Sequence, residues 1–306
     1  MVHRGWSTID TTPKIHILAD LVLLLAALVW GSTFVLVKQS LAYTTPFMFM
    51  TLRFALALAI ITAVAAPRIR ALTRREVTGG LLTGGALFFG FAFQTWGLVS
   101  TTASRSAFIT GLNVVLVPFL LWGLSHQQLR AKRWVTAGLA TLGLLLLTNP
   151  LGAAGVNRGD LLTLACAVAF AGHIIFLSNY APSTDILRYF WVQLIAVTGL
   201  AGLATLGTGF LTGTGWTLIP AGPLWWGLGV TGVAATALAL LGMTWAQRHL
   251  APTRVALILA SEPVFGALFA VALAGESLTP AAWLGGGLIV VVIGWSELGV
   301  TTTPKT

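Results

Sequence analysis

The chain has 306 residues, of which 57% are hydrophobic and 8% are charged, and its formal net charge is +9. Soluble domains average about 25% charged residues, so this composition excludes an ordinary water-soluble fold. The positive charge lies in short stretches between long apolar runs, which indicates membrane topology rather than a basic face that binds nucleic acid. The single cysteine, Cys166, excludes a disulfide framework and a cysteine-rich metal site.

Ten apolar runs are candidates for helices that cross a bilayer. They lie at about 17–39, 46–66, 77–99, 103–123, 134–149, 160–180, 186–207, 222–247, 252–273 and 279–297. We therefore predict an all-α polytopic membrane protein with ten transmembrane helices. Residues 1–16 and 298–306 are predicted to be its tails.

Basic residues are distributed unequally between the two sides of these runs. Thirteen of the 17 lysines and arginines fall on the side of the termini, whereas the opposite side holds only Arg105 and Arg158. Cytoplasmic segments of membrane proteins carry the excess of positive charge. The pattern therefore predicts that both termini are cytoplasmic.

The same five-helix pattern occurs twice, at 17–149 and at 160–297. The aligned pairs include Asp20 with Asp160, Trp30 with Phe170, Thr33 with His173, Arg105 with Arg254, and Asn113 with Glu262. Because each copy has an odd number of crossings, the second copy must enter the membrane upside down. Two inverted repeats with a shared site near the middle of the membrane are typical of carriers that alternate access.

Short strings in each half resemble the ten-helix EamA type of the drug/metabolite transporter superfamily. They are Trp30 to Phe34, Pro46 with Arg53, Asn113 to Pro118, Glu262 to Phe265, and glycine-rich helices at 134–143 and 283–294. The resemblance covers about 17–297. It implies a carrier of small metabolites in the bacterial inner membrane, often an exporter. The family includes YddG-like exporters of aromatic amino acids, so we expect amino acids, aromatic ones among them, as substrates.

Glu262 lies at a depth where a carboxylate is costly, about 15 Å into the ninth predicted span. Such a residue marks a substrate or ion pathway by default. Pro263 removes the helical donor for the carbonyl of Leu259, so we expect an interrupted helix beside the carboxylate. Asn113 occupies the same depth in the first half. The alternative for Glu262 is a protonated side chain that ties helices together.

Two cations lie within the first two spans. Arg53 is predicted about 10 Å below the outer surface, where it could bind a substrate carboxylate or close an outer gate. Lys38 is close to the outer end of the first span. It could place a charge at the mouth of a cavity or extend to the lipid headgroups.

His173 is the only histidine inside a predicted span, near the middle of the membrane. Its imidazole could bind substrate or relay a proton, and a histidine that is satisfied by a neighbouring helix is the alternative. Transport coupled to H⁺ is therefore one hypothesis among several.

Aromatic residues form a further group of candidate substrate-binding side chains. The expected members are Trp30, Phe89, Phe93, Trp191 and Phe265, with Gln94 beside them as a polar handle. An aromatic cavity would suit an amphipathic or aromatic solute. Helix packing or lipid contact is the alternative for each of them.

No Walker-type run ending in Gly-Lys-Ser/Thr occurs in the sequence, so transport must follow a solute gradient or an ion gradient. A drug, a sugar or a nucleotide-related solute on the same fold is the alternative substrate class. A membrane-embedded lipid-modifying enzyme is the alternative from another class. The eight acidic residues are scattered rather than clustered, so we predict no enzymatic activity, no cofactor and no metal site.

Overall fold

The structure is a computed structural model that describes residues 13–125, 131–148, 156–214, 216–275 and 277–297. The first half consists of α1 (Pro13–Ser40), α2 (Pro46–Ile69), α3 (Arg74–Gly97), α4 (Ala103–Gly111), α5 (Asn113–Ser125) and α6 (Ala131–Thr148). The second half consists of α7 (Arg158–Tyr180), α8 (Ile186–Thr212), α9 (Gly222–Gly229), a π-helix (Val230–Leu238), α10 (Ala239–Ala246), α11 (Pro252–Leu259), α12 (Glu262–Ala274) and α13 (Pro280–Glu297). A short 3₁₀ turn, Ala181–Ser183, joins α7 to α8.

Each predicted span corresponds to one helix or to consecutive helices that follow one path. Within the described residues, eight such paths are long and apolar enough to cross a membrane, and the two remaining spans contain the shorter apolar segments Trp134–Gly143 and Pro280–Val292. Large apolar side chains such as those of Phe119, Leu161 and Trp226 are at least half exposed, as expected for a surface in contact with lipid. The predicted all-α polytopic fold is confirmed.

The first helix begins a few residues before the predicted first span. Helix α1 begins at Pro13, so residues 13–16 belong to it rather than to a tail. Residues 1–12 and 298–306 lie outside the described residues.

Two capping boxes fix the starts of α3 and α7. The Thr73 hydroxyl accepts from the backbone N–H of Glu76, and the Glu76 carboxylate accepts from the backbone N–H of Thr73. Asn157 and Asp160 make the same reciprocal pair at α7. Each box satisfies backbone donors that a helix start leaves unpaired. It also holds an acidic side chain where an arginine of the other half can reach it.

The two halves interleave. Helix α3 packs on α7 and α8, α1 packs on α10 and α12, and α2 packs on α8 and the π-helix. Helix α6 packs on α13, and α5 packs on α7. If each helix is replaced by its equivalent in the other half, the same set of pairings results. For example, the pairing of α1 with α12 becomes that of α7 with α5. The contacts therefore follow the internal repeat. The space between the halves is therefore the centre of the molecule.

Glycines of α3 make this interleaving close. A Cβ atom at Gly84 would lie 2.7 Å from the backbone oxygen of Gln193, so α3 and α8 could not approach this closely with a larger residue. A Cβ atom at Gly90 would overlap the ring of Phe170. Small residues at such crossings are typical of helices packed in a membrane.

The stretch from 207 to 222 between α8 and α9 is helical at its start and is hydrogen-bonded to the first half. Helix α8 continues to Thr212 and ends at Gly213, whose φ of 70° requires a residue that tolerates left-handed backbone. The backbone N–H of Ile219 donates to Tyr43 O at 2.8 Å, and the Thr44 hydroxyl donates to Thr217 O at 3.0 Å. These bonds tie the loop to the α1–α2 connection.

Candidate functional site

A cavity of about 50 Å³ lies between the two halves. Its polar or aromatic lining residues are Trp30, Thr33, Phe91, Gln94, Thr110, Asn113, Phe170, His173 and Glu262. Leu87, Ile174, Leu240, Met243 and Leu259 complete the wall. At about 10–15 Å³ per water in this measure, the space holds about four water molecules. An amino acid requires more room, so the cavity must expand to accept one.

The structure brings together five of the nine residues that were predicted to bind substrate. These are Trp30, Gln94, Asn113, His173 and Glu262. Two of them, Asn113 and Glu262, are the first residues of α5 and α12, just after the interruptions that separate these helices from α4 and α11. The interruption predicted at Pro263 is confirmed, because α11 ends at Leu259.

The break in the first half was not expected from the sequence. Helix α4 ends at Gly111 and α5 begins at Asn113, with Leu112 between them. Pro118, the nearby proline, lies inside α5 rather than at the break. Asn113 and Glu262 therefore occupy equivalent positions after the two breaks, as the repeat alignment implies, and both line the cavity.

Several buried polar atoms beside the cavity have free hydrogen-bonding capacity. The Gln94 amide donates to the Thr110 hydroxyl at 3.2 Å, and Thr110 contacts Cys166 Sγ at 3.8 Å. Asn113 Oδ1 and His173 Nε2 are buried and have no hydrogen-bond partner among the described residues. Buried polar groups are nearly always paired, so these two atoms are available to water or to a solute in the cavity.

Four described acidic side chains form ion pairs, and Glu262 does not. Each of those four meets an arginine of the opposite half: Asp20 with Arg254 (2.6 Å), Glu76 with Arg188 (2.7 Å), Asp160 with Arg105 (2.7 Å) and Asp185 with Arg68 (3.7 Å). Glu262 has neither an ion-pair partner nor a hydrogen-bond partner among the described residues, and its carboxylate faces the cavity.

Trp30 and Arg53 both hold the π-helix of the second half. The Trp30 Nε1–H donates to Ala235 O at 2.8 Å, and the Arg53 Nε–H donates to the Thr236 hydroxyl at 2.7 Å. The Thr236 hydroxyl donates in turn to Thr231 O, five residues back, at 2.7 Å. Arg53 is 2% exposed, and its guanidinium carbon lies 4.4 Å from the ring centroid of Phe91. Arg53 therefore stands behind the aromatic wall of the cavity and does not line it.

Lys38, the other predicted gating residue, binds the end of α3. Its ammonium group donates to Thr101 O and, at 3.3 Å, to Leu98 O. A cation beside the final carbonyls of a helix is favourable. Thr101 also donates to Asp160 at 2.6 Å, so Lys38 adjoins the ion pair that Asp160 makes with Arg105.

Four predicted substrate-binding residues lie outside the cavity. Phe89 is 52% exposed and stacks on Phe93, with ring centroids 6.1 Å apart. The Trp191 indole donates to the Thr62 hydroxyl at 2.9 Å and links α8 to α2. Phe265 packs against the hydrophobic core that includes the residues around Trp30.

The main aromatic residues of the cavity wall that sequence reasoning did not assign are Phe91 and Phe170. Phe170 was recognised only as the repeat counterpart of Trp30. The rings of Phe91 and Phe170 meet edge to face at 5.1 Å. The spacing of Leu87, Phe91 and Gln94 is a helical face and could have identified the correct side of α3. Because aromatic residues occur on both faces of α3, their positions alone do not show which face lines the cavity.

Two repeat-related ion pairs join the two halves. Asp20 accepts from Arg254 through both of its oxygens, at 3.1 and 2.6 Å. Asp160 meets Arg105 at 2.7 Å. The aspartates are equivalent in the two repeats, and so are the arginines, so the second pair is the repeat-related copy of the first.

A second void, of about 600 Å³, lies on the side of the bundle that is predicted to be cytoplasmic. Arg68, Asp185 and Arg248 form its polar rim, and Leu241 and Gly242 of α10 form part of its wall. The neighbouring α10 residues Leu240 and Met243 face the central cavity. Helix α10 therefore separates the two spaces.

Comparison with known proteins agrees with this architecture. The EamA-like transporter family matches the chain twice, over residues 17–149 and 157–296. An uncharacterized transporter of Archaeoglobus fulgidus is 35% identical over 277 residues, which cover 90% of this chain and 84% of that protein. A solved crystal structure shares the fold with a TM-score of 0.74 at 20% identity, over 92% of this chain and 96% of that one. The chain therefore belongs to the EamA-like transporter family, and it is a multi-pass membrane transporter of a small molecule rather than an enzyme.

Proposed function

We propose that the protein exports amino acids, aromatic ones among them, across the bacterial inner membrane by alternating access. The observation that carries the proposal is the cavity between the interleaved halves, where aromatic rings face Gln94, Asn113, His173 and Glu262. Apolar walls with a few convergent polar groups are the usual form of a small-molecule site. An aromatic amino acid presents the matching combination of a flat ring and a polar end.

The ion pairs at the two ends support alternating access. Arg254 with Asp20 and Arg105 with Asp160 both join one half to the other, so breaking one pair while keeping the other would open one side only. With both pairs formed, the cavity is contracted to about 50 Å³. The small cavity and the two formed pairs support the proposal that this conformation is a closed state between two open ones.

The distribution of basic residues supports an orientation with both termini in the cytoplasm. In this orientation the void of about 600 Å³ is the cytoplasmic vestibule. A solute that leaves the cell would enter there, pass α10 into the central cavity, and leave past Arg105 and Asp160. The direction of net transport is then set by the gradient of the solute or of a coupled ion, with H⁺ as one candidate.

Counterflow tests the substrate class. Purified protein in proteoliposomes loaded with unlabelled tryptophan is expected to accumulate external labelled tryptophan, whereas protein-free liposomes are not. Phenylalanine and leucine, a sugar and a cationic drug complete the panel. Transport of the sugar or the drug without any amino acid would reject the amino acid proposal and retain the transporter.

Two phenylalanines of α3 provide a matched pair of variants. Phe91 lines the cavity, whereas Phe89 is 52% exposed on the outer surface. Phe91→Leu is expected to slow tryptophan counterflow by about 2- to 10-fold through the loss of an aromatic contact. Phe89→Leu is expected to leave it unchanged. The reverse ranking would place the solute outside the cavity.

A further inference from the structure

The carboxylate of Glu262 lines the cavity and has no arginine partner among the described residues, unlike the four acidic side chains that form ion pairs. The described ion pairs each combine an acidic side chain with an arginine across the two halves. Glu262 lines the cavity instead, and none of the cavity-lining residues is a lysine or an arginine. A carboxylate in the membrane interior needs a cation or a proton to offset its desolvation.

Arg53 is not among the residues that line the cavity. Its Nε–H donates to Thr236, and its guanidinium carbon lies 4.4 Å from the ring centroid of Phe91, which is itself a wall residue. Arg53 Nη2 is buried and has no hydrogen-bond partner among the described residues, and no ion pair described in the structure joins Arg53 to Glu262. The cavity thus has a fixed anionic group and no fixed cationic group among its described lining residues.

The other lining groups favour a positively charged solute as well. Trp30, Phe91 and Phe170 offer aromatic rings, which attract an ammonium group through their faces. Asn113 Oδ1 is an unpaired acceptor in the structure. The Gln94 amide is uncharged and would hold a carboxylate more weakly than a guanidinium would. The lining groups therefore favour binding of the ammonium group of a solute over binding of its carboxylate.

Building on the proposed function, we propose that Glu262 is the receptor for the ammonium group of the substrate and that this amine, rather than the carboxylate, determines specificity. The substrate class is then aromatic or amphipathic primary amines, including amino acids whose amine is free. Solutes with a carboxylate and no amine are excluded, because they would add a second negative charge to the cavity. Asn113, the repeat counterpart of Glu262, leaves the opposite wall neutral.

Three indole compounds separate the two ends of the substrate. Inhibition of labelled tryptophan counterflow is measured with tryptophan, with tryptamine, which lacks the carboxylate, and with indole-3-propionate, which lacks the amine. Tryptamine is expected to inhibit at least about tenfold more strongly than indole-3-propionate, as a charge-assisted hydrogen bond would require. Direct uptake of labelled tryptamine is measured in parallel.

Variants at the two symmetric positions test the role of Glu262. Glu262→Gln is expected to remove the preference for tryptamine, whereas Glu262→Asp retains it. The exchange variant, Glu262→Asn with Asn113→Glu, moves the carboxylate to the opposite wall and is expected to restore the preference. Thermal stability in detergent identifies any variant that fails to fold, and the Asp variant and the exchange variant keep the comparison informative in that case.

The two proposals fail in different ways. Uptake of tryptamine without uptake of any amino acid would reject the amino acid proposal and support amine recognition. Uptake of tryptophan with equal or stronger inhibition by indole-3-propionate would overturn amine recognition and leave the amino acid proposal in place. Retention of the tryptamine preference by Glu262→Gln would also overturn it. If no indole compound is transported or inhibits, both proposals fall.

Discussion

At the scale of single residues, the acidic side chains show how charge is accommodated in this bundle. Asp20, Glu76, Asp160 and Asp185 each pair with an arginine from the opposite half. Removing one partner of a buried pair leaves an uncompensated charge, which costs far more than the pair gains. The three least exposed pairs, those of Asp20, Glu76 and Asp160, therefore specify how the two halves dock. Glu262 has no such partner among the described residues, and this difference is the basis for proposing that it binds the amine of the solute.

Gly90 sets the position of a cavity wall residue. A Cβ atom there would overlap the ring of Phe170, whereas a Cβ atom at Gly85 on the same helix meets nothing within 4 Å. We expect Gly90→Val to lower stability by about 1–3 kcal/mol through overpacking and to impair transport. Gly85→Val is the matched control and is expected to change neither by a comparable amount. Thermal unfolding in detergent and tryptophan counterflow measure both effects, and equal behaviour of the two variants would contradict the close contact with Phe170.

At the scale of elements, the π-helix Val230–Leu238 is a distortion that side chains of the first half hold in place. Its backbone oxygen at Ala235 accepts from Trp30, and its Thr236 hydroxyl accepts from Arg53. π-Helical turns are rare in proteins and are frequent at functional sites. Since α10 continues directly from this segment, a change in its winding would rotate the wall between the vestibule and the cavity.

Thr236 tests this attachment. Thr236→Val removes the acceptor of the buried Arg53 Nε–H and is expected to cost about 1–3 kcal/mol of stability, because a charged donor is left unpaired. Thr236→Ser retains the hydroxyl and is expected to retain most of that stability. Thr212→Val, at the exposed end of α8, is a control that should change stability little. A Thr236→Val variant as stable as wild type would show that Arg53 has another equally good partner.

The sequence predicts the helices better than it predicts the details inside them. Apolar runs of membrane length and the placement of basic residues are strong physical signals, and most described residues of each of the ten predicted spans are helical. The interruption at Pro263 follows from the missing backbone donor. The one at Leu112 has no proline beside it, so no comparable local signal marks it in the sequence. The side of α3 that faces the cavity could not be predicted either. Phe89 and Phe91 are the same residue type, and only the helices that pack around them distinguish the exposed ring from the cavity ring.

At the scale of the whole molecule, the paired ends and the single cysteine provide a test of alternating access. Cys166 is completely buried, and its Sγ contacts the cavity residue Thr110. Arg105→Gln is expected to weaken the predicted outer closure, and Arg254→Gln the predicted inner one. Labelling of Cys166 by a membrane-impermeant thiol reagent should therefore rise at least about tenfold from the outside for Arg105→Gln, since loss of a buried partner costs about 3–5 kcal/mol.

For Arg254→Gln, labelling is expected to rise from the inside instead, which inside-out vesicles can report. Arg68→Gln is the matched control, because the Arg68 side chain is 59% exposed and lies 3.7 Å from Asp185. Exposed pairs contribute about 0–1 kcal/mol, so this variant should label like wild type. Labelling from the same side in both gate variants would contradict the assignment of the two pairs to opposite ends.

The interleaved contacts also bear on the autonomy of the two repeats. Helix α3 finds its main neighbours in α7 and α8, and α6 finds its own in α13, so much of the packing surface of each repeat is supplied by the other. A segment that lacks a core of its own is not an independent folding unit, however clearly its sequence repeats. One repeat expressed alone would leave its acidic and basic side chains unmatched within lipid. It could satisfy them only by associating with a second copy of opposite orientation, as an antiparallel dimer does.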